Sequence, residues 1–142
     1  MSGEADQRHM RRAITLARAQ LGRTGENPSV GCVMVKDGVA IAEAATADGG
    51  RPHAEEQALA QARERARGAD VFVTMEPCGE RSNRTASCAE RLVSAGVARV
   101  VFACGNAHGL SAGRGPARLS DAGLWVEGGF LQDEAAFLYA AR

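Results

Sequence analysis

The residues best suited to chemistry are a histidine, a glutamate and two cysteines in three short segments. These segments are His53-Ala54-Glu55, Glu76-Pro77-Cys78 and, ten residues after Cys78, Cys88. His53, Cys78 and Cys88 together offer one nitrogen and two sulfur ligands. A catalytic zinc site uses three protein ligands and leaves the fourth position to water, whereas a structural zinc site is closed by four. The three residues therefore predict an open site with zinc as the cofactor.

Glu55 lies two residues after His53, at the start of a predicted helix, so its carboxylate can reach the metal's surroundings without binding the metal. Zinc lowers the pKa of water toward neutrality, and hydrolysis then needs a group that moves protons. We predict that Glu55 is the catalytic proton shuttle. The pattern H-x-E followed by P-C-x-x-C is the signature of zinc deaminases. Its first half is intact here, but nine residues separate Cys78 from Cys88.

Other interpretations remain open for these residues. A histidine before a helix is often a cap, and a glutamate in the first turn is favoured by the helix dipole. A closed structural zinc site would need a fourth ligand such as Cys104 or His108, and a zinc-stabilised binding module without activity would need a closed site or a misplaced Glu55. Cys32 and Cys104 lie in apolar runs, where a free cysteine is expected to be a small buried residue.

Length and charge limit the class of protein. A chain of 142 residues fits one domain, residues 1–142, with one core. Its 17 basic and 17 acidic residues give no net charge to favour nucleic acid or an anionic membrane. The charged segment 1–12 and the lack of a long apolar run predict a cytoplasmic protein with reduced cysteines, acting on a small molecule. Deamination of a nucleic-acid base is an alternative, which the few aromatic residues disfavour.

Apolar periodicity and turn residues predict alternating helices and strands. The predicted helices are Gln7–Leu21, Pro52–Arg67, Cys88–Ala95, Pro116–Ala122 and Gln132–Ala141. The predicted strands are Val30–Val35, Val39–Ala45, Asp70–Met75, Arg99–Cys104 and Leu124–Glu127. Gly105–Gly115 is glycine-rich and predicts a long loop. Because parallel strands need helical crossovers, the order indicates an α/β protein with a three-layer α/β/α sandwich and a mixed sheet.

Segments along nearly the whole chain resemble one family. They are Asn27-Pro28, Val30-Gly31-Cys32-Val33, Lys36-Asp37-Gly38, His53-Ala54-Glu55, Gly68-Ala69-Asp70, Val73 to Cys78, Arg84-Thr85, Cys88, Ala112 to Gly115 and Ala122-Gly123. The sequence is similar to the cytidine-deaminase-like superfamily, and more closely to the pyrimidine deaminases of bacterial riboflavin biosynthesis. The resemblance implies a five-stranded sheet, zinc, a homodimer or higher homo-oligomer, and Asn27 as a ligand of the heterocycle. That family's enzyme commonly carries a reductase domain after the deaminase, so a chain ending at Arg142 implies deamination alone.

Several positions that would contact the substrate differ from the family's pattern. Thr46 stands where a histidine is usual, Gly79-Glu80 replaces a Ser-His pair, and the segment 105–109 replaces Arg-Asp-Pro-Asn-Pro. Arginines can anchor an acidic substrate group through paired donors. The predicted substrate-binding residues are Asn27, Ala54, Thr46, Glu80, Arg84, Asn106, His108 and Arg114. These differences predict an aminated heterocycle other than the phosphorylated riboflavin precursor, with the precursor itself as the alternative.

Overall fold

The computed structural model describes residues 3–79, 86–105 and 113–140. Within these ranges the helices are α1 (Glu4–Ala19), α2 (Ala54–Ala62), α3 (Cys88–Ala95), α4 (Arg114–Asp121) and α5 (Gln132–Ala135). The strands are β1 (Gly31–Lys36), β2 (Val39–Ala45), β3 (Asp70–Met75), β4 (Arg99–Cys104) and β5 (Trp125–Glu127). Short 3-10 turns cover Asp48–Gly50, Arg63–Ala66 and Ala136–Leu138. None of the helices in the described ranges has the length and apolar character needed to cross a membrane.

The strands form one mixed sheet in the order β2-β1-β3-β4-β5. Strand β1 is antiparallel to both β2 and β3, whereas β3, β4 and β5 are parallel. The start of β1 therefore lies at the same edge of the sheet as the carboxyl ends of β3 and β4. In open α/β sheets, ligands bind at the carboxyl ends of the parallel strands.

Helices cover both faces of the sheet because side chains alternate along each strand. Val33 and Val35 of β1 face the layer of α1 and α5, while Cys32 and Met34 face the layer of α2, α3 and α4. The helices contribute mainly small buried residues, such as Ala58 of α2, which allow close packing on the sheet. The predicted three-layer sandwich with a mixed five-stranded sheet is confirmed.

The hairpin between β1 and β2 turns at Asp37 and Gly38, with Lys36 paired to Val39. Both turn residues have positive φ, at 53° and 79°. This is the backbone of a type I′ turn, for which Asp-Gly is a favoured pair because its twist matches that of the strands.

Three predicted helices have different bounds in the structure. The Pro52–Arg67 helix begins at Ala54 and ends at Ala62, because Arg63 takes a φ of 54° that an α-helix does not allow. Helix α4 begins two residues before the predicted Pro116, with Gly113 as its N-cap, so Arg114 and Gly115 are helical rather than part of the predicted loop. The predicted Gln132–Ala141 helix is one short α-helix followed by a 3-10 turn.

Helix α1 and strands β1 and β5 are also displaced from their predicted bounds, by one to three residues. Helix α1 lies about one turn earlier than the predicted Gln7–Leu21, β1 is shifted by one residue from Val30–Val35, and β5 begins one residue after Leu124. Strands β2, β3 and β4 and helix α3 have the predicted bounds. Residues 106–112 of the predicted loop lie outside the described residues.

Gly31 allows α1 to lie directly on β1. A Cβ at this position would overlap the carbonyl oxygen of Ala13, so the helix would have to move. We expect Gly31→Ala to lower the free energy of unfolding by about 1–3 kcal/mol, which is typical of overpacking a core. Urea unfolding checks this, with Gly3→Ala as control because no atom lies within 4 Å of a Cβ there. Equal stability of the two variants would contradict the prediction.

Candidate metal centre and catalytic site

Cys78 lies just beyond the carboxyl end of β3. The amide of Glu76 donates to the carbonyl of Cys104 at 2.8 Å, which extends the pairing of β3 and β4 by one bond. Pro77 has no amide to continue the ladder. The chain therefore leaves the sheet at Pro77 and carries Cys78 over the edge, where its carbonyl accepts from the amide of Ala89 at 3.0 Å.

Helix α3 presents Cys88 at its first turn. Ser87 is the N-cap, and its hydroxyl accepts from the Glu90 amide at 3.1 Å while the Glu90 carboxylate accepts from the Ser87 amide at 3.3 Å. This reciprocal capping box fixes where the helix begins. Cys88 is the first helical residue, is 1% exposed, and donates its amide to Cys78 Sγ at 3.2 Å.

His53 reaches the same point from α2. It is the N-cap residue of that helix, with extended backbone angles, and its ring nitrogen Nδ1 lies 3.4 Å from Cys88 Sγ. Among the described residues, His53, Cys78 and Cys88 form a group whose ligand atoms all lie within 4.8 Å of one another. The structure thus brings together the three residues predicted as metal ligands.

The separation of His53 Nδ1 from Cys88 Sγ fits ligands of one tetrahedral zinc ion. Zn–S bonds of about 2.3 Å and Zn–N bonds of about 2.0–2.1 Å at tetrahedral angles place sulfur and nitrogen ligands about 3.6 Å apart. The observed separation of His53 Nδ1 from Cys88 Sγ is 3.4 Å. One imidazole and two thiolates also match the donor types that zinc prefers.

The surroundings of Cys78 favour its thiolate form. Hydrogen bonds from the Cys88 side chain, and further ones from the His53 side chain and the Cys88 backbone, hold the pKa of Cys78 well below its ordinary value. The N-terminus of α3 also points at this sulfur through the amide of Cys88, and helix N-termini lower thiol pKa values. Because the thiolate is the form that binds metals, these surroundings make Cys78 well suited to bind a metal ion.

Glu55 lies in the first turn of α2 and is 4% exposed. Burial raises the pKa of Glu55 to about 7, and the Cys78 thiolate adds to the shift, while hydrogen bonds with its own backbone and with the Cys88 side chain oppose it. Its carboxyl group therefore lies against the metal-ligand group. A carboxyl group with a pKa near neutrality can both take up and release a proton.

Asn27 lies at the same edge of the sheet as the ligands, in the segment that leads into β1. Its amide nitrogen donates to the carbonyl of Gly50 at 2.9 Å, which orients the side chain. Gly50 has a φ of 100°, and a Cβ there would lie 2.5 Å from the Asn27 amide nitrogen. Gly50 thus supports the Asn27 side chain. The sequence did not predict this role, because it depends on a positive φ that is seen only in the folded structure.

Thr46 supports the same segment. It is 2% exposed, and its hydroxyl accepts from the Val30 amide at 2.9 Å and donates to the Pro28 carbonyl at 3.2 Å. In the structure these bonds fix the backbone beside Asn27. Direct contact of Thr46 with a substrate stays a prediction, as it does for the fully buried Ala54.

Arg114 is exposed at the start of α4, next to the segment that carries Cys78. A Cβ at Gly79 would lie 2.6 Å from Arg114 Cβ, and one at Gly115 would overlap the carbonyl oxygen of Pro77. Two glycines thus allow α4 to approach the metal-ligand segment. The remaining predicted substrate-binding residues, Glu80, Arg84, Asn106 and His108, lie outside the described residues.

The other two cysteines are buried, as predicted. Cys32 lies beneath Glu55 in the layer of α2, and burial raises the pKa of its thiol, to which the Glu55 charge adds. Cys104 belongs to the opposite layer, where its thiol faces the carbonyl of Gln132 at 3.9 Å. The alternative of a closed site with Cys104 as fourth ligand is therefore wrong. His108 lies outside the described residues.

Two further glutamates lie close to the site, although no role was predicted for them from the sequence. Glu76 is 7% exposed and accepts from the Gly113 amide at 3.1 Å, which ties the end of β3 to the N-cap of α4. Glu56 accepts from the His53 amide at 3.3 Å. The sequence signal for the Glu56 contact was its position three residues after a helix N-cap, which is the position of the glutamate in a capping box.

Comparison with known proteins identifies the family. Residues 3–104 match the model described as the cytidine and deoxycytidylate deaminase zinc-binding region. The chain belongs to this family of zinc-binding deaminases. The predicted zinc cofactor and the predicted zinc-dependent hydrolytic deaminase are confirmed at the level of the family, and the His53, Cys78 and Cys88 group lies within the matched region.

Individual relatives of this deaminase are riboflavin biosynthesis proteins. RibD of Escherichia coli K12 is 45% identical over 130 residues, which cover 92% of this chain and 35% of that protein. A structure of Acinetobacter baumannii RibD has a TM-score of 0.91 at 47% identity and covers 96% of this chain and 38% of that one.

A third relative is a diaminohydroxyphosphoribosylaminopyrimidine deaminase/5-amino-6-(5-phosphoribosylamino)uracil reductase from Thermotoga maritima. Its structure has a TM-score of 0.85 at 38% identity and covers 93% of this chain and 38% of that one. This chain spans about a third of the length of the curated relatives it matches. The predicted resemblance to riboflavin-pathway pyrimidine deaminases is confirmed.

Proposed function

We propose that this chain catalyses the hydrolytic deamination of a small amino-substituted nitrogen heterocycle. A carbon-bound amino group is exchanged for oxygen from water, and ammonia is released. The observation that carries the proposal is the convergence of His53, Cys78 and Cys88 beside the buried carboxyl group of Glu55. These three ligands would hold zinc, which supplies Lewis acidity that lowers the pKa of water toward neutrality.

Glu55 moves the protons in this proposal. Burial raises its pKa to about 7, so both the carboxylate and the carboxylic acid are accessible, and its contact with the Cys88 side chain keeps it beside the reacting groups. The carboxylate accepts one proton from water and delivers it to the ring nitrogen; it then takes the second proton from the added hydroxyl group and delivers it to the departing amine. One side chain thereby serves as base and then as acid.

Substrate recognition is assigned to the edge of the sheet around the metal-ligand group. The Asn27 side chain, which we assign to bind the heterocycle, is oriented by its hydrogen bond to Gly50 and by the backbone segment that Thr46 holds. Arg114 lies on the other side, against the Cys78 segment, where its guanidinium is suited to an acidic group of the substrate. Ala54, Glu80, Arg84, Asn106 and His108 complete the proposed set.

We propose further that the preferred heterocycle is not the phosphorylated riboflavin precursor. Several positions expected to bind substrate differ from the family's pattern at once, and Glu80 adds a negative charge that would repel a phosphate-bearing ligand. A site built to bond one hydroxyl or amine can reject a mismatched analogue by several orders of magnitude. The second candidate is the precursor itself, which is favoured by the identity of 38–47% to riboflavin biosynthesis proteins.

A substrate panel distinguishes the two candidates. Zinc-loaded protein is assayed for ammonia release and product mass with the phosphorylated precursor, its dephosphorylated form, other aminopyrimidines, aminopurines and pterins. We expect weak or absent turnover of the precursor and clear turnover of another heterocycle. Precursor turnover in the ordinary range of roughly 1–1000 per second, unmatched by any other compound, would support the second candidate instead.

The same protein can be tested for the nucleic-acid alternative. With no net charge on the chain, we expect no binding to a labelled single-stranded oligonucleotide at either of two salt concentrations.

A cytoplasmic location and assembly into a homodimer or higher oligomer remain proposals. Size-exclusion chromatography with light scattering tests the assembly.

A further inference from the structure

Two of the three metal ligands lie at the starts of different helices, so their separation depends on how those helices are held together. His53 is the N-cap of α2, and Cys88 is the first residue of α3. A shift of one helix along the other would change the distance from His53 Nδ1 to Cys88 Sγ, which is 3.4 Å. Side chains that connect the two helix starts are therefore candidates for control of the metal site.

Glu56 makes such a connection. One carboxylate oxygen accepts from the His53 amide at 3.3 Å and lies 4.0 Å from His53 Nδ1. The other oxygen lies 3.9 Å from a guanidinium nitrogen of Arg91, on α3. The Glu56 side chain is only 19% exposed, so water screens these contacts less than it would on an open surface.

Arg91 continues the connection toward Cys88. Its Nε donates to the carbonyl of Ala86 at 3.2 Å, immediately before the N-cap Ser87. The chain of contacts thus runs from the His53 backbone through Glu56 and Arg91 to the segment that begins α3. One end of this chain is the predicted ligand His53 itself, and the other end, at Ala86, is two residues from Cys88.

We propose that Glu56 is a positioning residue of the metal site, which sets the separation of His53 from Cys88 by joining the starts of α2 and α3 through Arg91. The inference rests on the proposed function, because it assumes that these ligands hold zinc. The Glu56 carboxylate bonds to the His53 amide rather than to its ring, so it acts by holding the backbone that carries the imidazole. Loss of outer partners commonly lowers metal affinity by about 10- to 100-fold.

The test compares zinc affinities of the full chain in competition with a chromophoric chelator at fixed pH. We expect Glu56→Ala to weaken zinc binding by about 10- to 100-fold, the range for outer partners of metal ligands. Glu56→Gln should lose less, because an amide oxygen still accepts from the His53 amide while the charge is gone. Arg91→Met should weaken binding by about 2- to 5-fold, as for a partly exposed ion pair.

Cobalt substitution gives a second readout that is independent of activity. The visible absorption of Co²⁺ reports the geometry of its ligands, and we expect Glu56→Ala to change the spectrum. Glu64→Ala is the matched control, since Glu64 is an exposed residue of the 3-10 turn that follows α2. Circular dichroism of each metal-free variant identifies a loss of folding.

Two outcomes would overturn the inference in distinguishable ways. Wild-type zinc affinity and an unchanged cobalt spectrum in all three variants would show that Glu56 is an ordinary cap of α2. Failure of the wild-type protein itself to bind zinc would overturn the proposed function and this inference with it.

Discussion

Cys88→Ser is expected to lose bound zinc and, with it, deaminase activity. A serine oxygen cannot replace a thiolate at the distance and with the softness that this site requires. Cys88 is 1% exposed and adjoins both other ligands, so no other described cysteine can take its place without moving a strand or helix. Elemental analysis of purified protein should fall from about one zinc ion per chain toward none.

Cys104→Ser is the matched control for this substitution. Cys104 is also a buried cysteine, but it lies on the opposite face of the sheet. We expect this variant to keep its zinc, while Cys78→Ser and His53→Ala lose it. Stoichiometric zinc and full turnover in Cys88→Ser would contradict the assignment and direct the search for a ligand to His108.

Local pattern was sufficient to predict the parts of the fold that end at strong signals. The bounds of β3 are those predicted because an apolar, β-branched run stops at Glu76-Pro77, and α3 ends at Gly96, whose φ is 76°. Such residues decide the backbone conformation by themselves. The three residues predicted as metal ligands were recognised for the same reason, since each stands at an element boundary that the sequence marks.

The errors occurred where tertiary contacts decide the backbone. The helix-forming composition of residues 52–67 contains no sign that Arg63 takes a positive φ. The first turn of α4 was missed because the backbone of Gly113 is fixed partly by the distant Glu76 carboxylate. Residues far apart in the chain determine these conformations, and the spacing of apolar residues carries no information about them.

The supporting residues of the site were predicted least well. The hydroxyl of Thr46 bonds to the backbone of Val30 and Pro28, sixteen and eighteen residues earlier, and the sequence does not indicate this structural role. The approach of Gly115 to Pro77 likewise joins two separate segments. A single sequence identifies residue types that can do chemistry, whereas the contacts that hold those residues in place emerge only from the folded structure.

Glu55→Gln is expected to keep zinc and the fold but to slow deamination by about 100-fold or more, the range for loss of a general acid-base group. Glutamine has nearly the same shape and can still bond to neighbouring groups, but its amide neither takes up nor releases a proton near neutral pH. The loss should appear mainly in kcat, because a proton shuttle acts in the transition state rather than in substrate binding.

Glu64→Gln is the matched control, because the same chemical change is made at an exposed glutamate just after α2. Zinc content is measured on both variants before kinetics, so that a loss of metal is not mistaken for a loss of proton transfer. Binding of a non-hydrolysable substrate analogue should be similar in Glu55→Gln and wild type. The burial of Glu55 beside Cys88 implies that no bulk water can replace it freely as a proton carrier. An unchanged kcat with the confirmed substrate would therefore remove Glu55 from the mechanism, even if the zinc site proved correct.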